Sequence, residues 1–149
     1  MNLSPHFTLE ELTASANAAR LGIDNMPTPY ALEHLKTLCV AMEQVRTLLG
    51  DRPIHVTSGY RSDELNRKTP GSSPTSAHVN GLAMDFICPS FGTPLDICKA
   101  IAASPILFDQ VIYEYRSWVH FAIVPPKLIG RLDLLTIDRD GKRMGLDAA

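Results

Sequence analysis

The chain has 149 residues, of which 45% are hydrophobic and 20% are charged, and its formal net charge is -2 at pH 7. This length suits one domain with a single core, and the composition is that of a folded globular protein rather than a disordered or fibrous one. Because the net charge is slightly negative and lysine and arginine form no run, we expect no nucleic-acid partner.

The cysteines and the N-terminal segment each carry a separate expectation. Cys39, Cys88 and Cys98 show no CxxC spacing, and an odd number cannot form a complete disulfide framework, so we predict core thiols. The N-terminal stretch MNLSPHFTLEELTAS lacks the basic start and apolar core of a secretory signal. No apolar run approaches the ~20 residues of a membrane helix. We expect a monomer that is made in the cytoplasm without a signal peptide and is not inserted in a membrane.

Helical signals dominate the first fifty residues. Thr8 and Glu11 in TLEEL have the spacing of a capping box and predict a helix over residues 9–19. Thr28 and Pro29 then form a cap and a first-turn residue, and apolar residues recur at helical spacing as far as residue 49. This second helix is predicted to end at Gly50 and to be the main core element.

Strand signals follow from residue 54 onward. IHVTSGY predicts a short strand, Ser62 can cap a brief helix in DELNRK, TPGSSPTS predicts a flexible loop, and GLAMDFI predicts a second strand. Thr93 and Pro94 begin a capped helix in TPLDICKAIAA. FDQVIYEY and WVHFAIV are β-rich runs joined at Arg116 and Ser117, which is typical of a hairpin.

Helices and strands alternate without a strict βαβ repeat, which favours an α+β fold. We predict a single domain with a small, largely antiparallel sheet flanked by helices. Residues 1–126 would form its main part. Residues 127–149, which follow Pro125-Pro126 and contain the turn signal DRDG, would be a peripheral C-terminal extension of the same domain.

Three residues form a candidate metal site. In SAHVNGLAMDF, His78 and Asp85 are seven positions apart, with Gly81 allowing a turn between them. If each residue is considered by itself, His78 could be an ordinary loop histidine and Asp85 a turn or capping aspartate. His120 in SWVHFAI could likewise be a hydrogen-bonded core residue. Together they supply the three N and O ligands of a catalytic zinc site, which leaves a fourth position for water. A metal would also compensate the charge of Asp85 in its apolar stretch.

Glu114 is the best-placed carboxylate for a general base. If residues 115–117 form a three-residue loop, Glu114 faces Trp118, which shares a sheet face with His120. A two-residue loop would put Glu114 on the opposite face, and a solvated hairpin residue is the alternative interpretation.

Arg61 in TSGYRS is the fifth candidate. Its guanidinium can hold a carboxylate or a developing oxyanion through paired donors. The alternative is a surface arginine that caps the SDEL turn.

The stretches SGYRS, TSAHVNGLAMDF and EYRSWVHF, in this order, resemble the zinc D-alanyl-D-alanine carboxypeptidase family. That family also includes vancomycin-resistance D,D-dipeptidases, phage L-alanyl-D-glutamate endopeptidases and the hedgehog signalling domain. The likeness extends from LSPHFTLEEL to about residue 125 and depends on the pattern S-x-H-x-x-G-x-A-x-D. The subgroup it is most similar to contains small phage or prophage peptidases and related bacterial proteins.

The resemblance implies a hedgehog and D,D-peptidase-like zinc site within residues 1–126. One zinc ion per chain would be held by His78, Asp85 and His120, with Ser76 in a supporting position and Arg61 positioning the substrate. Many members of the family carry the catalytic acid three positions before the last histidine, where this chain has Ser117. Glu114, six positions before that histidine, would have to serve instead.

We therefore expect a zinc-dependent peptidase that hydrolyses a bond in the peptidoglycan stem or cross-link, as a carboxypeptidase or an endopeptidase. A phage or prophage lysis enzyme is one such role, and the site of action would be the periplasm or cell wall after release. A non-catalytic zinc-bearing binding module of the same fold is the main alternative. A transport or regulatory α+β domain without a metal is a third. The sequence leaves open which peptide bond is cut.

Overall fold

One sheet and one long helix organise residues 1–146, the part of the chain that the computed structural model describes. The helices are α1 (Leu9–Thr13), α2 (Ala16–Leu21), α3 (Pro29–Leu48), α4 (Asp63–Arg67) and α5 (Pro94–Ala102), with a short 3-10 helix at Ala77–Asn80. The strands are β1 (Asn2–Ser4), β2 (Phe7–Thr8), β3 (His55–Ser58), β4 (Ala83–Ile87), β5 (Gln110–Glu114), β6 (Trp118–Ala122), β7 (Asp133–Asp138) and β8 (Gly141–Met144).

The long helix α3 begins and runs much as predicted. Thr28 Oγ1 accepts a hydrogen bond from Ala31 N at 3.1 Å, and Pro29 occupies the first turn, where its missing N–H costs nothing. The predicted apolar stripe is buried except at its first residue, Leu32, which is half-buried, and Leu38 and Met42 are fully inaccessible to solvent. The helix ends at Leu48, two residues before Gly50.

The predicted helix over residues 9–19 is wrong, because the chain forms two helices there. Thr8 Oγ1 does cap α1 by accepting from Glu11 N at 3.2 Å. However, the carbonyl of Leu12 accepts from Tyr60 N at 2.7 Å, so tertiary contacts take over carbonyls that a longer helix would use. Ser15 Oγ then accepts from Ala18 N at 3.1 Å and caps α2.

The main sheet has the strand order β3-β4-β6-β5-β7-β8, and only the β5–β7 pair is parallel among the described strands. Helices and strands are mixed in one domain, so the predicted α+β fold with a largely antiparallel sheet is confirmed. No helix within residues 1–146 is both long and apolar enough to cross a membrane.

The C-terminal segment adds β7 and β8 to one edge of this sheet. The DRDG turn joins these two strands, since Asp138 is paired with Gly141. The strands β7 and β8 themselves were not predicted from the sequence pattern. The division between residues 1–126 and 127–149 stays a prediction, and residues 147–149 lie outside the described part of the chain.

The two faces of the sheet have different roles. Side chains alternate between faces along a strand, so Val119 and Phe121 on β6 point into the core beside α3, whereas His120 points the other way. The core also contains the three predicted core thiols, which are buried and unpaired: Cys39, Cys88 and Cys98. The helices α3 and α5 therefore pack on the core face, and the opposite face carries the candidate site.

Candidate metal centre and catalytic site

His78 lies on the short 3-10 helix and is held in one orientation. Ser76 Oγ accepts from His78 N at 3.3 Å, and Gly81 ends the turn with a φ of 74°. A Cβ at Gly81 would lie 2.4 Å from the carbonyl oxygen of Ala31, so the turn packs directly on α3. The Nδ1 of His78 is 2.7 Å from the carbonyl oxygen of Gly59. Because a carbonyl only accepts, Nδ1 carries the proton and Nε2 keeps its lone pair for the site.

Asp85 and His120 face each other on neighbouring strands, β4 and β6. Asp85 Oδ1 lies 3.3 Å from His78 Nε2 and 3.0 Å from His120 Nδ1. All three side chains are at most 10% exposed. Burial by itself raises the pKa of Asp85, but the two histidines outweigh it and hold this pKa well below its usual range. The carboxylate therefore stays ionised inside the protein.

These three side chains fit a zinc ion. One ligand atom from each lies within 4.8 Å of the others, and two imidazoles with a carboxylate are a donor set that zinc accepts. A tetrahedral site with bonds of about 2.0 Å has edges of about 3.3 Å, close to the separations of 3.3 and 3.0 Å between Asp85 Oδ1 and the two histidine nitrogens. The same separations let His120 Nδ1 donate to Asp85 in the absence of an ion. The structure thus brings together the three predicted ligands in one buried cluster.

Glu114 reaches the same cluster from the end of β5. The connection to β6 is the three-residue loop 115–117, with φ values of 51° at Tyr115 and 55° at Arg116, and it sets Glu114 opposite Trp118. Glu114 Oε1 lies 3.7 Å from His120 Nδ1, and the side chain is 18% exposed. The carboxylate is therefore on the face that carries His120, as the longer loop requires.

The pKa of Glu114 is raised. Burial is the largest cause, and repulsion from Asp85 adds to it, while His120, the Trp118 indole and Arg61 act in the opposite direction. A buried carboxyl with a raised pKa is a stronger base than an exposed one once it is ionised. This environment suits a group that takes up a proton.

Arg61 approaches the cluster from the loop after β3. Its Nη2 donates to Ser76 Oγ at 3.1 Å, and its Nε is buried without a hydrogen-bond partner within residues 1–146. Burial lowers the pKa of Arg61, whereas the charges of Asp85 and Glu114 raise it. Ser62, and not Arg61, caps α4. The guanidinium therefore faces the cluster with donors to spare, and Ser76 links it to the turn of His78.

Two features of the site have no signal in the sequence. The carbonyl of Gly59, which orients His78, is a backbone atom that no side-chain pattern marks, although only glycine fits at this position because a Cβ would clash with the backbone carbonyl of Leu12. A pocket of about 270 Å³ beside Arg61 is made by segments far apart in the chain. It is lined largely by small and hydroxyl side chains, among them Ala14, Ser15, Ala16, Thr57 and Ser58.

Comparison with known families agrees with this geometry. Residues 5–122, well over half of the chain, match the family described as Peptidase M15. The chain belongs to the M15 peptidase family. M15 peptidases are zinc-dependent, so the family and the buried cluster point to the same cofactor. The family predicted from the sequence is thereby confirmed. A search among curated proteins finds no match. The M15 match ends at the last residue of β6, so β7 and β8 lie beyond it.

Proposed function

We propose that this M15 peptidase hydrolyses a peptide bond in the stem or cross-link of peptidoglycan. In this proposal His78, Asp85 and His120 hold one zinc ion and Glu114 is the general base. The observation that carries it is the position of the Glu114 carboxylate, 3.7 Å from His120 Nδ1 beside the buried cluster.

The chain's own groups divide the work of proton transfer and charge stabilisation. A zinc ion, when bound, polarises the scissile carbonyl and makes water more acidic. Glu114 accepts the proton that water gives up and delivers it to the leaving amine. Arg61 offers its free Nε to a carboxylate of the substrate or to the negative charge that develops on the carbonyl oxygen. Gly59 keeps His78 in the tautomer that leaves Nε2 available.

The pocket beside Arg61 supports a short peptide as substrate. Its lining of alanine and serine side chains leaves room for small residues such as those of the stem peptide, and Arg61 at its wall suits a terminal or side-chain carboxylate. The candidate bonds are the terminal D-Ala-D-Ala bond, a D,D-cross-link and L-Ala-D-Glu, and the product masses in the experiment below distinguish them. Action in the periplasm or cell wall, as a monomeric phage or prophage lysis enzyme, belongs to the same proposal.

A zinc-bearing module that binds without cleaving is the second candidate. Its support is the buried cluster itself, which can hold a metal without chemistry. The position of Glu114 favours the enzyme, because a largely buried carboxylate 3.7 Å from His120 Nδ1 is placed to accept a proton from water at the metal, and binding alone does not require a base there.

The two candidates are separated by turnover on purified peptidoglycan fragments. The zinc-loaded protein is incubated with the fragments, and mass spectrometry identifies the cleaved bond from the masses of the products. Cleavage should stop after chelation and return with added zinc, whereas Glu114→Gln should bind zinc and cleave poorly. A protein that binds zinc at this site and releases no product from any wall fragment would instead be the binding module.

A further inference from the structure

A groove of about 510 Å³ lies between two neighbouring turns at one end of the sheet. One turn joins β5 to β6, and the other joins β7 to β8. We call it the turn groove; its lining consists of Tyr115, Arg116, Asp138, Arg139 and Asp140. The proton-transfer steps proposed above do not use it.

The turn groove begins one residue beyond the proposed general base. Glu114 is paired with Ile137 in the parallel β5–β7 ladder, and Tyr115 N donates to Ile137 O at 2.7 Å. A strand advances about 3.3 Å per residue, so the groove and Glu114 are close neighbours. The Tyr115 ring also lies against Trp118, the residue opposite Glu114, with 5.5 Å between ring centroids. An aromatic wall thus continues from the candidate site into the groove.

The strand order places this groove and Arg61 on opposite sides of the candidate metal ligands. Arg61 follows β3 at one edge of the sheet, Asp85 and His120 lie on β4 and β6, and the groove is formed at β5 to β8. A peptide that lies across these strands would contact Arg61 on one side of the scissile bond and the turn groove on the other.

The charges in the groove favour an anion. Arg116 and Arg139 are exposed, and within residues 1–146 neither guanidinium makes an ion pair at 4.0 Å or less. Asp138 is already matched by Arg143, whose Nη2 and Nη1 donate to its two oxygens at 2.7 and 3.0 Å. Asp140 remains as an acid at the rim. The charge of Arg116 also lowers the pKa of Asp138, but the two groups form no ion pair, so within residues 1–146 the guanidinium groups of Arg116 and Arg139 keep their donors for a ligand, with Asp140 as the other acid of the groove.

We infer that the turn groove binds a carboxylate of the peptide substrate that lies away from the scissile bond. The inference rests on the proposed function. Arg116 and Arg139 supply planar, paired donors that match a carboxylate, and Tyr115 supplies a wall for the adjoining chain. Asp138, Arg139 and Asp140 lie beyond residues 5–122, so this subsite is built in part from chain outside the M15 match.

Two synthetic stem peptides test the inference. Both keep the same scissile bond and a free C-terminal carboxylate, and they differ only in whether an acidic side chain is a carboxylate or a carboxamide. The zinc-loaded wild type should show a KM about tenfold lower for the acid peptide, as expected for a charge-assisted paired contact. This preference should fall to near onefold in the double variant Arg116→Gln/Arg139→Gln and partly in Arg139→Gln alone. Arg52→Gln, an exposed arginine far from both turns in sequence, is the matched control and should keep the preference.

The outcomes separate the groove from the proposed function. The inference that the turn groove binds a carboxylate is overturned if the wild type cleaves both peptides with equal KM. It is also overturned if a folded double variant keeps the preference for the acid peptide. If the wild type cleaves neither peptide nor any wall fragment, the proposed function fails instead. Calorimetric titration with the acid peptide then tests the groove separately. Binding that weakens in the double variant but not in Arg52→Gln supports the carboxylate site in the turn groove. Binding that is equal in the wild type and the double variant overturns it. Circular dichroism checks that each variant is folded, and the single Arg139→Gln variant replaces the double one if it is not.

Discussion

Glu114 lies directly opposite Trp118 across the β5–β6 hairpin, and this register puts its carboxylate on the same face of the sheet as His120. A hairpin loop shorter by one residue would turn Glu114 to the core face, because successive side chains alternate between faces. The family position three residues before the last histidine is Ser117, whose hydroxyl donates to Tyr115 O and cannot serve as a carboxylate base. The register of one hairpin therefore decides whether the site has an acid.

Glu114→Gln should remove most of the turnover and leave the fold and zinc content nearly intact. Glutamine keeps the size of the side chain and its hydrogen-bonding capacity but cannot accept the proton. We expect kcat to fall by the ~10²–10⁴-fold typical of a positioned general base. Steady-state cleavage of a wall fragment and metal analysis of the same preparation measure the two quantities. Normal turnover in this variant would mean that another group accepts the proton.

His120→Ala should greatly weaken zinc binding. The substitution removes one of three donors, so the affinity should fall by more than the ~10–100-fold caused by losing an outer partner of a ligand. His55→Ala is the control, because His55 is exposed on β3 and lies outside the cluster. Competition with a zinc chelator measures both affinities. If His120→Ala retains zinc as tightly as His55→Ala, His120 is not a ligand.

The parts of the fold that follow local rules could be predicted from the sequence. Thr28 with Pro29 and Thr93 with Pro94 mark helix starts through side-chain caps, and these starts agree with the structure. The break between α1 and α2 could not be predicted, because it depends on the hydrogen bond from Tyr60 N to Leu12 O across 48 positions. The strands β7 and β8 were also missed, since the parallel pairing of β7 with β5 is a long-range contact.

The candidate site shows the same division. His78, Asp85 and His120 are identifiable because side-chain chemistry and spacing form a pattern in the chain. The loop that orients Glu114 was undecided because it needs positive φ at Tyr115 and Arg116, a conformation that non-glycine residues seldom adopt. The sequence alone therefore pointed to the ligands more firmly than to the base.

Asp109→Asn should lower stability near neutral pH and have little effect in strong acid. Arg131 donates to Asp109 through Nε at 2.9 Å and Nη2 at 2.8 Å, and these bonds lower the pKa of Asp109 against the raising effect of burial. A lowered folded-state pKa contributes stability above the unfolded value of about 3.9, and this contribution is lost as the pH falls through the folded value. We expect a loss of about 1 kcal/mol at pH 7 for this partly exposed pair.

Urea unfolding of wild type and Asp109→Asn across the acid range measures this difference. The two free energies of unfolding should begin to converge near the unfolded pKa and should meet once the pH has fallen below the folded pKa. Asp51→Asn is the control, because its ion pair with Arg46 is longer, at 3.5 Å, and Asp51 is 71% exposed. A difference that stays constant with pH would show that the Asp109 carboxylate contributes by packing and not by charge.

Arg61→Lys should keep the zinc and lose much of the turnover. Arg61 uses Nη2 to bond Ser76 and still has a buried Nε without a hydrogen-bond partner within residues 1–146, a second donor that a lysine ammonium cannot reproduce because its donors radiate from one atom. The loss should approach the ~10²–10³-fold seen when one donor to a developing negative charge is removed. Measuring kcat and KM separately on a wall fragment shows what the guanidinium does. A fall in kcat indicates stabilisation of charge during the reaction, whereas a rise in KM alone indicates that it holds a substrate carboxylate. Equal activity of Arg61→Lys and wild type would mean that the guanidinium has neither role and that the bond to Ser76 only braces the turn of His78.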